Sequence, residues 1–142
     1  MTPDITPLPA PAGHRILIVE SEVAAADELA RLMGEMGHTV QVAADARSAL
    51  FGLQDFEPHL VLLGTYLADM PGYELSSILR GAAQYSSHFR HVGLLYVADR
   101  HKVLKHRFVG APEVPIAHYI FKPLNGAEVR EKVTRALREN AP

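Results

Sequence analysis

The feature that most restricts how this chain can fold is a repeated exchange between two apolar patterns. Ile16-Leu17-Ile18-Val19 is a short continuous apolar run, as expected of a strand covered on both faces. Residues 23–35 then place Ala26, Leu29, Ala30 and Met33 on one helical stripe, and Gly37 follows as a helix stop. Val40-Gln41-Val42-Ala43 reads as a second strand, less apolar and so nearer an edge. Ala46, Ala49, Leu50 and Leu53 suit a second helix, and Leu60-Val61-Leu62-Leu63 a buried third strand. The spacing predicts a third helix over 73–83 with Leu75, Ile78 and Leu79 inward, and a fourth strand over 92–97. A short fourth helix over 100–109, a fifth strand over 117–121 and a last helix over 125–138 complete the series, with Val129, Val133 and Leu137 on the inner face of that helix.

Five strands alternating with five helices imply an α/β fold, an open doubly wound parallel sheet with helices on both faces. Right-handed crossovers leave few topologies, and at this length the flavodoxin-like strand order 2-1-3-4-5 is the natural one. Residues 1–13 stand apart. They carry Pro3, Pro7, Pro9 and Pro11 among small and polar residues, with neither a basic start nor an apolar signal-peptide core. They read as a flexible leader, and 14–140 as the folded domain. No run is long and apolar enough to span a bilayer, which points to a soluble protein. The absence of cysteine excludes disulfides, thiolate nucleophiles and cysteine-based zinc sites, and suits the reducing cytoplasm, where the chain is expected to reside. A net charge of −2 offers no global field to draw nucleic acid or an anionic membrane.

In such a sheet, ligands bind beyond the carboxyl ends of the strands. After the first strand come Glu20, Ser21 and Glu22, where a nucleotide binder would need glycines so that backbone amides could approach phosphate. No Gly-Lys-Ser/Thr occurs, so dinucleotide and P-loop readings fail. Gly64 to Gly72 follow the third strand, Ala98 and Asp99 the fourth, and Lys122 and Pro123 the fifth.

Three stretches on that edge match one family in order and spacing. ILIVESE (16–22), PHLVLLGTYLADMPGYEL (58–75) and HYIFKPL (118–124) resemble the receiver domains of bacterial response regulators, the CheY-like family, over roughly residues 15–140. The resemblance puts Glu20 and Ser21 at the positions of two acidic residues that hold Mg²⁺, and Gly64 at the phosphoacceptor aspartate. It puts Val97 at a hydroxyl residue and Lys122 at a lysine, both of which contact the phosphoryl group. Tyr119 takes the place of the aromatic whose rotamer reports activation, and a cis peptide is implied before Pro123.

The departures from that pattern imply a degenerate pseudo-receiver. Gly64 has no carboxylate to form an acyl phosphate. Ser21 offers a neutral hydroxyl where Mg²⁺ takes a hard anionic oxygen, and Val97 a methyl where a hydroxyl would donate. Asp69 lies five residues beyond Gly64 and could replace the acceptor only in a rebuilt loop. Lys122 is then expected to pair with Glu20, since a buried lysine without a carboxylate is costly, and Tyr119 to keep one rotamer. The expectations are no enzyme activity, no cofactor and no metal.

The predicted fourth helix and its approach carry Arg100, Lys102, Lys105 and Arg107. This is either an ordinary solvated face or a docking surface for an acidic protein partner or anionic ligand. In receivers the fourth helix, fifth strand and fifth helix form the usual partner or dimer face, which favours docking. The leading expectation is a phosphorylation-independent protein-interaction module of a bacterial signalling pathway, with a protein partner or a second copy of itself. The alternative is a sensor of a small anion, such as a cyclic dinucleotide, with arginines holding phosphates and stacking on bases. Nucleic-acid binding is not favoured by a single basic helix. His88 with His91, and His101 with His106, lack a third ligand and are not expected to bind metal.

Overall fold

The computed structural model describes residues 13–82, 92–99 and 118–139. Residues 1–12 of the leader, the predicted fourth helix with its basic cluster Arg100, Lys102, Lys105 and Arg107, and both of those histidine pairs lie outside the described residues.

Five strands form one parallel sheet in the order β2-β1-β3-β4-β5. They are β1 (Arg15–Val19), β2 (Thr39–Ala43), β3 (Leu60–Gly64), β4 (Gly93–Asp99) and β5 (Tyr119–Lys122). Four helices are described: α1 (Val23–Glu35), α2 (Ala46–Phe56), α3 (Gly72–Gly81) and α4 (Gly126–Glu139). The predicted flavodoxin-like architecture is therefore the observed one.

Strand side chains alternate between faces, and here both faces are covered. Ile16, Ile18, Leu60 and Leu62 pack with Leu29 and Met33 of α1 and with Val129 and Val133 of α4. Leu17, Val19, Val61 and Leu63 pack on the other side with Ala46 and Leu53 of α2 and Leu75 and Leu79 of α3. This double burial is why β1 and β3 read as unbroken apolar runs. β2 pairs only with β1 and leaves Thr39, Gln41 and Val42 exposed, as its weaker apolar pattern suggested.

Gly37 ends α1 as expected, at φ 87°. Its N–H donates to Gly34 O and that of His38 to Met33 O, the paired bonds of a Schellman stop. Two strand boundaries and the placement of one side chain are among the differences from the sequence reading. β4 runs on to Asp99 because its register with β5 pairs Asp99 with Lys122. β5 begins only at Tyr119. Ile78 is half-buried, because Leu75 and Leu79 already fill the inner face of α3.

Candidate functional site

The carboxyl edge of the sheet brings together the residues that the sequence singled out. Parallel pairing puts Val97 opposite Gly64, and Glu20 directly follows β1, whose Val19 pairs with Leu63. Lys122 ends β5 and precedes a cis Lys122–Pro123 peptide.

Glu20 and Lys122 meet as expected. Lys122 Nζ lies 3.0 Å from Glu20 Oε1, and the Glu20 side chain is only 3% exposed against 20% for the lysine. Oε1 accepts no hydrogen bond among the described residues, so the contact is ionic and set by charge rather than by donor angle. Oε2 accepts the backbone N–H of Glu22 at 2.9 Å. The Glu22 carboxylate stands 3.5 Å from the same ammonium but is 60% exposed, so solvent screens most of its attraction.

The carboxylate of Glu20 also takes up the room beside Gly64. A Cβ on Gly64 would lie 3.1 Å from Glu20 Oε1, 3.3 Å from its Cδ and 3.3 Å from the Val19 carbonyl oxygen. The acid that follows β1 thus packs over the bare backbone at the end of β3. The sequence shows the acid at Glu20 and the missing side chain at Gly64 separately. Their fit to each other depends on strand register.

Ser21 and Asp69 have found structural work. Ser21 Oγ donates to Ala44 O at 2.5 Å and accepts the Ala68 N–H at 2.9 Å, so one hydroxyl ties together the loops after β1, β2 and β3. Asp69 faces α2 rather than Gly64. Its two oxygens accept the N–H groups of Ala46 and Arg47, each at 3.0 Å, while Asp45 caps the same helix by accepting the Ser48 N–H at 2.8 Å. These bonds satisfy donors that a helix leaves open at its N-terminus, where negative charge is favoured. The Ala46 and Arg47 amides hold the Asp69 carboxyl below the usual carboxylate range.

A consequence follows for Asp69→Ala. The variant should melt below the wild type at neutral pH. Because the carboxyl is depressed in the folded state, its contribution is complete above the ordinary carboxylate range and disappears as pH falls through the lowered value. The two melting curves should therefore converge in acid, a comparison that thermal scans at both pH values check directly.

The donors present do not suit the Mg²⁺ that the receiver family binds. Gly64 supplies no ligand, Ser21 is neutral and bonded to two backbones, Asp69 caps α2, and Glu20 is held by an ammonium. Among the described residues no cluster of three or more His, Asp or Glu side chains is arranged to hold a metal ion.

Tyr119 lies in an aromatic ladder, its ring 5.7 Å from that of Tyr96 and stacked on Phe121 at 5.5 Å. Tyr96 OH is 2.8 Å from Ser76 Oγ on α3. Lys132 of α4 donates to the Tyr119 carbonyl oxygen and sits 5.3 Å above the Phe121 ring. Burial pushes the Tyr119 hydroxyl above its ordinary range, with Tyr96 and Tyr66 adding to the effect, so it stays neutral.

The fold is that of CheY-like response-regulator receiver domains, a class of signalling domain. The chemotaxis response regulator CheY4 of Vibrio cholerae superposes with a TM-score of 0.70 at 20% identity, covering 88% of this chain and 99% of CheY4. A CheY-like receiver domain protein of Methanospirillum hungatei gives a TM-score of 0.67 at 25% identity, covering 91% and 97%. No family model matches the sequence. Among curated proteins, the transcriptional regulatory protein TcrA of Mycobacterium tuberculosis is 38% identical over 69 residues, which are 49% of this chain and 27% of TcrA. An uncharacterized 76.5 kDa protein of Thiocystis violacea is 37% identical over 67 residues, 47% of this chain and 10% of that protein. The matched segment is thus a small part of each of these relatives. Among the described residues no helix is long and apolar enough to cross a membrane.

Proposed function

We propose that this chain is a pseudo-receiver, a binding module that signals without accepting a phosphoryl group. The observation that carries the reading is the Glu20 carboxylate lying over Gly64, at 3.1 Å from where a Cβ would stand, with the Lys122 ammonium 3.0 Å from the same oxygen. Where the resemblance puts an acceptor, a metal ligand and a phosphate-binding lysine, this chain has bare backbone at Gly64 and an ion pair between Glu20 and Lys122. Asp69, the nearby carboxylate in the loop, is bonded to α2 and aimed away from that pair.

With Val97 in place of a hydroxyl, nothing links the pocket to Tyr119 by a phosphate contact, and the ring keeps one position in its ladder. Signalling then rests on a surface of constant shape. The docking face in this reading is the Arg100, Lys102, Lys105 and Arg107 stretch, a local concentration of positive charge in a chain of net charge −2. It suits an acidic protein partner. Incubation with acetyl phosphate and Mg²⁺, read by intact mass, should leave the protein unchanged. A stable adduct mapped to an aspartate would overturn the reading.

A further inference from the structure

At the opposite, amino edge of the sheet three histidines stand together, each just ahead of a strand or at its first turn. His14 precedes β1, His38 precedes β2 and His59 precedes β3. The ring of His14 lies 4.9 Å from that of His59 and 5.7 Å from that of His38, edge to face in both cases. The His14 N–H donates to His38 Nδ1 at 3.3 Å, and the Arg15 N–H donates to His59 Nδ1 at 2.9 Å. Backbone bonds run alongside, from Thr39 N–H to His14 O at 2.9 Å and from His59 N–H to Arg15 O at 2.8 Å. Two imidazoles therefore stitch the first residues of β1 to both neighbouring strands.

An imidazole nitrogen can accept an N–H only through its lone pair, and a protonated ring has none. His38 and His59 must both be neutral, with the proton on Nε2. That leaves His38 Nε2 buried without a partner among the described residues, in a side chain belonging to a residue only 7% exposed, and His14 Nδ1 likewise. Protonation at Nδ1 would set N–H against N–H and place like charges side by side.

On β1 the neighbouring charge is Arg15, whose Nε donates to the Glu57 carbonyl at 2.8 Å. Glu57 ends α2, and at the end of α1 the Glu35 carboxylate binds Arg31 and Arg130. β4 starts at the uncharged Gly93, which Val92 precedes.

We propose that His14, His38 and His59 form a proton-operated clasp on the amino edge of the sheet, closed while the rings are neutral and opened by acid, which controls how firmly the start of β1 is held. Burial, followed by the neighbouring charges of His14 and His59, pushes His38 below its ordinary value; burial, Arg15 and His14 do the same for His59. For a group depressed in this way the folded state binds fewer protons than the unfolded state, so the stabilisation is complete above the ordinary imidazole range near 6.5. It is lost as pH falls from there through the lowered folded values. The opening is local, because the mid-sheet bonds of β1 and β3 involve no titrating group.

The test is hydrogen exchange of backbone amides, expressed as protection factors, as the pH is lowered from neutral into the imidazole range. Protection of the His14 and Arg15 amides should fall by about tenfold, the equivalent of one typical hydrogen bond each, while Ile18 and Leu62 keep theirs. The double variant His38→Asn/His59→Asn retains side-chain oxygen acceptors that cannot be protonated, and in it the two amides should show no such pH dependence. Constant protection in the wild type, or an equal loss in the double variant, overturns the proposal. Should the variant fail to fold, titration of the wild-type rings by NMR decides: His38 and His59 must titrate over the same pH interval in which the amides lose protection, and a mismatch overturns it.

Discussion

Gly72→Ala will destabilise the domain by about 3 kcal/mol or more, well beyond a methyl group added at Gly34, Gly64 or Gly81. A Cβ on Gly72 would lie 2.1 Å from the Gly64 carbonyl oxygen, 3.1 Å from the carbonyl carbon and 3.2 Å from Thr65 Cα. These are backbone atoms, so no side chain can rotate out of the way. The contact exists because the loop after β3 turns back on itself. Tyr66 bridges to Pro71, the Leu67 N–H donates to Met70 O at 3.2 Å, and the Gly72 N–H donates to Thr65 O at 2.9 Å. The first turn of α3 is thereby pressed onto the end of β3, beside the Glu20–Lys122 pair. Gly34→Ala and Gly81→Ala are the controls. Both glycines lie in helices with nothing within 4 Å of an added Cβ. Alanine there should stabilise by about 0.5–1 kcal/mol through helix propensity and a less disordered unfolded chain. Urea denaturation of the three variants checks the contrast. A cost below about 1 kcal/mol for Gly72→Ala would show that the loop shifts to admit the methyl group, and that close approach does not determine its path.

Lys122→Met should cost about 2–3 kcal/mol, somewhat less than a fully buried pair because the ammonium is partly exposed. The loss comes from what remains: a Glu20 carboxylate, 3% exposed, that keeps the Glu22 N–H but loses the cation paired with it. Glu20→Gln leaves the lysine near solvent and near Glu22, and should cost only about 1 kcal/mol. The double variant Glu20→Gln/Lys122→Met should lie within about 1 kcal/mol of wild type, since it removes both charges together. A double-mutant cycle by denaturant unfolding measures the coupling. Additive single effects would mean that Lys122 and Glu20 act independently, and the ion pair could no longer carry the proposed pseudo-receiver reading.

Both experiments bear on how much could be read from the residues alone. The strands were legible because two-sided burial writes itself into Ile16–Val19 and Leu60–Leu63 as continuous apolar runs. The helices were legible because Ala26, Leu29 and Met33, or Val129, Val133 and Leu137, repeat at helical spacing. The departures from the receiver pattern were legible as well: Gly64 and Val97 are conspicuous where the resemblance puts an acid and a hydroxyl. Pairing of Lys122 with Glu20 followed from the cost of an isolated buried charge.

Other features had no local signal. Asp69 looked like a spare carboxylate near Gly64, and nothing in its neighbours announces that it bonds the amides of Ala46 and Arg47, more than twenty positions earlier. Ser21 reads as a weak metal ligand, not as a tie between three loops. Gly72 reads as one glycine among ten. His14, His38 and His59 are scattered over 46 positions of sequence and meet only because parallel strands start at the same edge.

The sequence by itself determined the layers, the strand order and the lack of a carboxylate at position 64. Those follow from side-chain type and periodicity, which act over a few residues. Tertiary structure alone decided that Glu20 covers Gly64, that Asp69 serves α2, and that three histidines share one edge. Each of these depends on the register between strands and the reach of the loops joining them, so the contacting residues become neighbours only once the sheet has formed.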